Sequence, residues 1–247
     1  MTTLDRISSI RDLPIENKRV FIRVDFNVPL EDDGGRMKIT DDARIAEALP
    51  TIKHAMERGA RVILASHLGR PKKGPDPKLS LEPCGSRLAE LLGVEVHMPE
   101  DCIGDAAKKV IYDLRNGQVC LLENLRFHAE EEKDDETFAQ KLAELCDVYV
   151  DDAFGAVHRA HASVHALPKL MRERGCGFLL EKEISALGKV ITTPDKPFVA
   201  ILGGAKVSDK ISVIDSLFEK VNVLLIGGAM ANTFLAAKGL NMKSSKI

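Results

Sequence analysis

The chain has no tryptophan, and only 4% of its residues are aromatic. Stacking platforms for unpaired bases need more aromatic surface than this. Net charge is also scarce: 35 Lys and Arg stand against 37 Asp and Glu, giving −2. Broad electrostatic attraction to nucleic acid or to an anionic membrane is thereby excluded, and any anion site must be a local gathering of cations. There is no Cys-x-x-Cys, and the five cysteines, at 84, 102, 120, 146 and 176, are odd in number. That pattern predicts reduced thiols filling a core in the cytoplasm, not a disulfide framework. No apolar run approaches the ~18 residues that would span a membrane. The opening MTTLDRISSIRDLP lacks the apolar centre of a signal peptide.

What is present is a recurring unit. A short apolar, β-branched run ends in a polar or glycine-rich elbow, and helix-period sequence follows. The runs are VFIRV (20–24), VILAS (62–66), VCLL (119–122), VYV (148–150), FVAIL (198–202) and VNVLLI (221–226). Continuous apolar runs predict strands covered on both faces. Between them, Ile45, Leu49, Ile52 and Met56 share a helical face, and Pro50 is expected to kink or divide that helix. Ser80 and Ser208 are candidate helix caps. Phe138, Leu142 and Leu145 fall together in another helix. The acidic run EEEKDDE (130–136) reads as a solvated loop and helix start. Alternating strands and helices predict an α/β fold of two doubly wound, Rossmann-like parallel-sheet domains. The expected boundaries are 1–175, a connecting helix and hinge over 176–195, and 196–247. Only two strands follow the connector, so the second domain reads as incomplete.

In open α/β sheets, ligands bind outside the carboxyl ends of the strands. There the sequence supplies Asp25 and Asn27, then His67 and Arg70 in HLGRPKKG, then Glu123, Asn124 and Arg126. The fourth elbow, DDAFGAVHRAHAS, adds Asp151, Asp152, His158, Arg159 and His161, and Arg44 opens the first helix. Arginine holds carboxylate and phosphate oxygens in a planar fork. Arg44, Arg70, Arg126 and Arg159 around one cleft would suit a small, multiply anionic substrate, while Lys72 and Lys73 read as solvated loop charges. In FVAILGGAKVSDKI, Gly203 and Gly204 end a strand and Lys206 and Lys210 flank the next helix. Free N–H groups and a helix dipole make such an elbow an anion site. It is not a Walker A loop. The competing reading is a metal-dependent hydrolase using His158, His161 and His165, spaced by three and four. The surrounding cations oppose it, and no metal ligand is assigned.

Seven stretches in order resemble the phosphoglycerate kinase family: RVDFNVP, ITDDARI, LASHLGRP, LLENLRF, DAFGAVHRAHAS, ILGGAKVSDKI and LIGGAMANTF. The resemblance implies a monomeric, cytoplasmic glycolytic enzyme that moves a phosphoryl group between 1,3-bisphosphoglycerate and ADP, giving 3-phosphoglycerate and ATP. It implies a phosphoglycerate site made by Asp25, Asn27, Arg44, His67, Arg70, Arg126 and Arg159. It implies a nucleotide site including Gly203, Gly204, Lys206 and Lys210, with Mg²⁺ arriving as Mg-ATP or Mg-ADP. Arg44 and Lys206 are then the candidates for stabilising the transferring group. Family features expected after GLNMKSSKI, including the metal-associated Asp and a glycine-rich phosphate loop, are absent from the sequence, so the chain reads as a truncated form with little turnover of its own.

Overall fold

The computed structural model describes residues 7–72, 74–204 and 207–247. It divides into two compact units, one ending at Ile184 and the other spanning Ser185–Ile247.

The first unit is built on strands β1 (Arg19–Arg23), β2 (Leu30–Asp33), β3 (Arg36–Ile39), β4 (Arg61–Ala65), β5 (Val96–His97), β6 (Val119–Leu121), β7 (Val148–Asp151) and β8 (Arg174–Cys176). Six form one sheet in the order β5-β6-β4-β1-β7-β8, and every pairing in it is parallel. β1 lies between β4 and β7, so the chain builds outward on both sides of it. The helices are α1 (Ala43–Glu57), α2 (Glu82–Leu92), α3 (Gly104–Asp113), α4 (Ala129–Glu132), α5 (Glu136–Ala143) and α6 (Leu167–Leu170), while α7 (Phe178–Thr192) begins in this unit and continues past Ile184.

Residue alternation along the strands explains why the runs are apolar throughout. Val20, Ile22, Val62, Leu64, Val119, Leu121, Val148 and Val150 enter one core with Ile45, Ile52 and Leu88. Phe21, Ile63, Cys120 and Tyr149 enter the other with Ile111, Phe138 and Leu142. Each strand therefore buries both of its faces. All five cysteines are buried and free. Burial pushes the thiols of Cys84, Cys120 and Cys146 up to about 12, so they pack as apolar groups.

Several elements depart from the sequence reading or were not foreseen in it. Of the two outcomes expected at Pro50, division does not occur: α1 runs through it as one helix. Pro50 and Ala46, whose carbonyl loses its helical donor there, both lie on the exposed face, where that carbonyl is not cut off from solvent. The antiparallel β2–β3 hairpin was not anticipated, because its residues are mostly exposed and show no apolar run. Its Gly34 and Gly35 take φ of 63° and 91°, as a tight hairpin turn requires. β5 and β8 are too short, at two and three residues, to leave a pattern. Ser80 sits one residue before the helix cap, Leu81, yet its Oγ still accepts from Glu82 N across 3.1 Å.

The second unit holds parallel strands β9 (Val199–Gly203) and β10 (Val223–Gly227) with helices α8 (Ile211–Phe218) and α9 (Gly228–Ala237). Ser208 lies within a short 3-10 turn, Ser208–Lys210, whose cap position is Val207, so it does not cap α8 as expected. Val199, Ile201, Val223 and Leu225 line an exposed sheet face. Among the described hydrophobic residues of this unit, only Ile214 and Met230 are buried.

Candidate active site

The elbows after β1 and β4 are stitched together. Ser66 Oγ accepts from Phe26 N across 2.8 Å, and Asn27 Oδ1 accepts from Gly69 N across 2.8 Å. Gly69 takes φ 61°, and Leu79 packs where a Cβ would stand, so the sharp turn is reserved for glycine. Asp25 Oδ2 accepts from Arg44 across 2.7 Å. Arg44, expected in the cation cluster, is thus paired with a carboxylate. Arg70 is exposed and makes no ion pair among the described residues.

The elbow after β6 is held by its own side chains. Asn124 is buried; its Oδ1 accepts from Leu68 N and Arg126 N, and its Nδ2 donates to the carbonyls of Leu68 and Leu79. Glu123 accepts from Leu81 N and from the Ser80 hydroxyl. Neither is free for chemistry; both shape the loop. Arg126 is buried and donates to the Gly69 carbonyl across 2.7 Å. Its Nε lies 3.2 Å from Glu132 Oε1, an ion-pair distance without hydrogen-bond geometry.

After β7, Asp151 and Asp152 are both buried. Asp152 Oδ1 accepts from Leu179 N and Leu180 N and so caps α7. Burial pushes its carboxyl up to about 6, offset in part by Thr51 and these two amides. Arg159 is half-buried and, among the described residues, has no ion-pair partner. Arg126, Arg159 and His161 all stand near His67. Burial first, and then the fields of Arg23, Arg126, Arg159 and His161, push His67 down to about 2, so its ring is neutral at any ordinary pH.

Two participants were not anticipated. Arg23 is only 1% exposed and lies inside β1. It donates to Ser163 Oγ across 2.9 Å and to the Val24 carbonyl, and its Nη2 lies 3.1 Å from His67 Nδ1. The signal was an arginine inside the apolar run VFIRV. The second is Glu131, expected in a solvated acidic run but fully buried. Its carboxylate accepts from Ser163 Oγ across 2.5 Å and from Ser163 N across 2.9 Å. It sinks because it supplies the charge that compensates Arg23 through one hydroxyl.

The three histidines of the metal reading do not converge. His158 is exposed. His165 is also exposed, because the wide turn Ala162–Ala166 directs it outward to Asp134. Among the described residues, one group of metal-ligand types gathers: Asp101, Cys102 and His128. There His128 Nε2 and Asp101 Oδ1, 2.7 Å apart, already satisfy each other, and burial holds the Cys102 thiol far above its ordinary value.

In the second unit, Gly203 ends β9, and its carbonyl accepts from Lys210 Nζ across 2.6 Å. Gly204 takes φ 156°, and its carbonyl accepts from Met230 N across 3.0 Å. The elbow is thus tied to the start of α9. Lys206, a candidate catalytic residue, and Lys73 lie outside the described residues.

The comparisons with known proteins agree on one family. The family model for phosphoglycerate kinase matches residues 10–247. A phosphoglycerate kinase of Anaeromyxobacter sp. (strain Fw109-5) is 56% identical over 243 residues, covering 98% of this chain and 61% of that protein. One from Solibacter usitatus is 58% identical over 233 residues, covering 94% and 59%. The solved phosphoglycerate kinase of Coxiella burnetii superposes with a TM-score of 0.86 at 40% identity, over 97% of this chain and 59% of that one. That of Pyrococcus horikoshii OT3 gives 0.81 at 37% identity. The chain therefore spans about 60% of the length of its relatives. With parallel strands ending in a cluster of cations, and with this agreement along nearly its whole length, the chain belongs to the phosphoglycerate kinase family.

Proposed function

We propose that this chain contributes to reversible phosphoryl transfer between 1,3-bisphosphoglycerate and ADP, yielding 3-phosphoglycerate and ATP. The observation that supports it most is Arg159: a half-buried cation beside Arg126 and neutral His67 with no ion-pair partner among the described residues. An unneutralised guanidinium in such a place is stabilised by an incoming anion.

In this reading residues 1–175, within the first unit, form the phosphoglycerate domain. Arg126, Arg159 and exposed Arg70 take the phosphate and carboxylate oxygens. Asn27 and Asp25 orient the hydroxyl-bearing carbon, and Arg44 exchanges its bond to Asp25 for the transferring group. α7 is the connector within 176–195. The second unit is the start of a second doubly wound domain. There Gly203 and Gly204, with Lys206 and Lys210, receive the phosphates of Mg-ATP or Mg-ADP. Lys210 leaves the Gly203 carbonyl to do so. Catalysis of this kind rests on positioning and on stabilising charge, with no covalent enzyme intermediate.

The test is titration calorimetry of the folded chain with 3-phosphoglycerate and with Mg-ADP. Binding of 3-phosphoglycerate in the micromolar to millimolar range, weakening as salt is added, is expected. Arg126→Ala should weaken it by about tenfold or more. Absence of heat with 3-phosphoglycerate from a folded sample would overturn the reading.

A further inference from the structure

We propose that Arg23, locked in place by Ser163 and Glu131, fixes His67 as a neutral imidazole with its proton on Nε2, so that the ring meets a bound phosphoglycerate as a hydrogen-bond donor and not as a cation. The role toward phosphoglycerate rests on the function proposed above; the protonation state does not.

The argument follows proton directions. A guanidinium has donors only. Arg23 Nη2 lies 3.1 Å from His67 Nδ1, so Nδ1 must accept, and it therefore carries no proton. A neutral imidazole with a bare Nδ1 holds its hydrogen on Nε2. Adding a second proton would set N–H against N–H.

Arg23 cannot swing aside to permit that. Its Nη1 donates to the Val24 carbonyl and its Nε to Ser163 Oγ across 2.9 Å. Ser163 accepts there, so its single hydroxyl hydrogen goes to Glu131 Oε1, 2.5 Å away. The other Glu131 oxygen accepts from Ser163 N across 2.9 Å, and Tyr149 Oη donates to the Ser163 carbonyl across 2.9 Å. Every hydrogen along Arg23–Ser163–Glu131 has one possible direction. Arg23, Ser163 and Glu131 are all buried, so no water competes for these bonds.

The remaining groups that bear on His67 push the same way. Arg23 comes from β1, Arg126 from the elbow after β6, and Arg159 and His161 from the loop after β7. No carboxylate is among its leading influences; Glu131 is turned toward Ser163. Among the described residues His67 Nε2 has no hydrogen-bond partner, and it is not sealed from solvent, so it is open to a ligand.

Arg23, Ser163 and Glu131 are accordingly positioning residues, acting through His67. The chemical consequence is that His67 itself adds no charge over the pH range in which the ligand phosphate takes its second proton. Histidine then contributes direction while the arginines contribute charge.

The test is nitrogen NMR of the 247-residue chain labelled with ¹⁵N-histidine, with His67 assigned by the loss of its signals in His67→Gln. From pH 8 to pH 5, His67 should keep an unprotonated Nδ1 and a protonated Nε2. Arg23→Met should abolish the fixed state, giving mixed tautomers or a titration within that range. If Arg23→Met does not fold, Ser163→Ala, which frees Nε, reads the same effect. An imidazolium or an Nδ1–H form in the unsubstituted chain would overturn the proposal, as would the same Nε2–H state persisting unchanged in the folded variants. Added 3-phosphoglycerate should move the His67 Nε2 resonance. If the tautomer stands but no resonance moves, the protonation state is supported and the phosphoglycerate reading fails.

Discussion

Gly69 N–H donates to Asn27 Oδ1 across 2.8 Å, while the Gly69 carbonyl accepts from Arg126 across 2.7 Å. The two peptide groups that flank Gly69 are each held by a residue of the proposed phosphoglycerate site. The elbow between β4 and α2 is therefore rigid before any ligand arrives. Asn27→Ala should remove about 1 kcal/mol of stability and lower affinity for 3-phosphoglycerate through the loosened turn. Asn27→Asp keeps the acceptor and should cost less. Gly69→Ala meets both φ 61° and the Leu79 side chain 2.6 Å from the new Cβ, and should cost about 1–3 kcal/mol. Urea unfolding of the three variants checks the order; a neutral Gly69→Ala would refute it.

Asp152 gives a pH signature. Its folded-state carboxyl is pushed up to about 6, above the unfolded value near 4, so the folded chain binds this proton more tightly. Its contribution to stability is full below the unfolded value and is lost as pH rises through about 6. Asp152→Asn retains an acceptor for Leu179 N and Leu180 N and removes the buried charge. The variant should be more stable than the unsubstituted chain at pH 7.5 by about 1–2 kcal/mol, and the difference should vanish near pH 4. Thermal or urea unfolding at the two pH values checks this; a variant less stable at pH 7.5 would show that the charge itself is needed at the α7 start.

How much of this was legible in the sequence follows from what each residue contacts. The strands buried on both faces were legible because burial forces apolar residues at every position. The elbows were legible because topology gathers strand ends. Arg23 and Glu131 were not, since each is made tolerable by a partner far along the chain, Ser163, that no local pattern reveals. Nor was the Arg44–Asp25 pairing: both residues were expected at the site, but spacing says nothing of whether two such groups meet a ligand or each other. The ties from Gly203 to Lys210 and from Gly204 to α9 depend on how two elbows of the second unit meet.

Lys210 can be separated from the rest of its elbow. Its Nζ rests 2.6 Å from the Gly203 carbonyl, a bond that an arriving phosphate would replace. Lys210→Ala should weaken Mg-ADP binding by roughly five- to tenfold while leaving 3-phosphoglycerate binding unchanged. Parallel calorimetric titrations with the two ligands provide the check. Equal loss for both would place Lys210's influence outside the nucleotide elbow.

The separation of 140 positions between Arg23 and Ser163 sets an order of events during synthesis. Arg23 emerges from the ribosome early, in a strand that will become the centre of the sheet. Its hydroxyl acceptor and β7, its strand neighbour, are made much later. At ~5–20 residues per second, the nascent chain waits roughly seven to thirty seconds before that cation can be enclosed with its partners. Until then the β1–β4 pair can form only with Arg23 still hydrated. Closure of the central sheet is thus a late, near-simultaneous event in translation, and a premature stop before Ser163 yields a chain that cannot bury its own middle strand without a stranded charge.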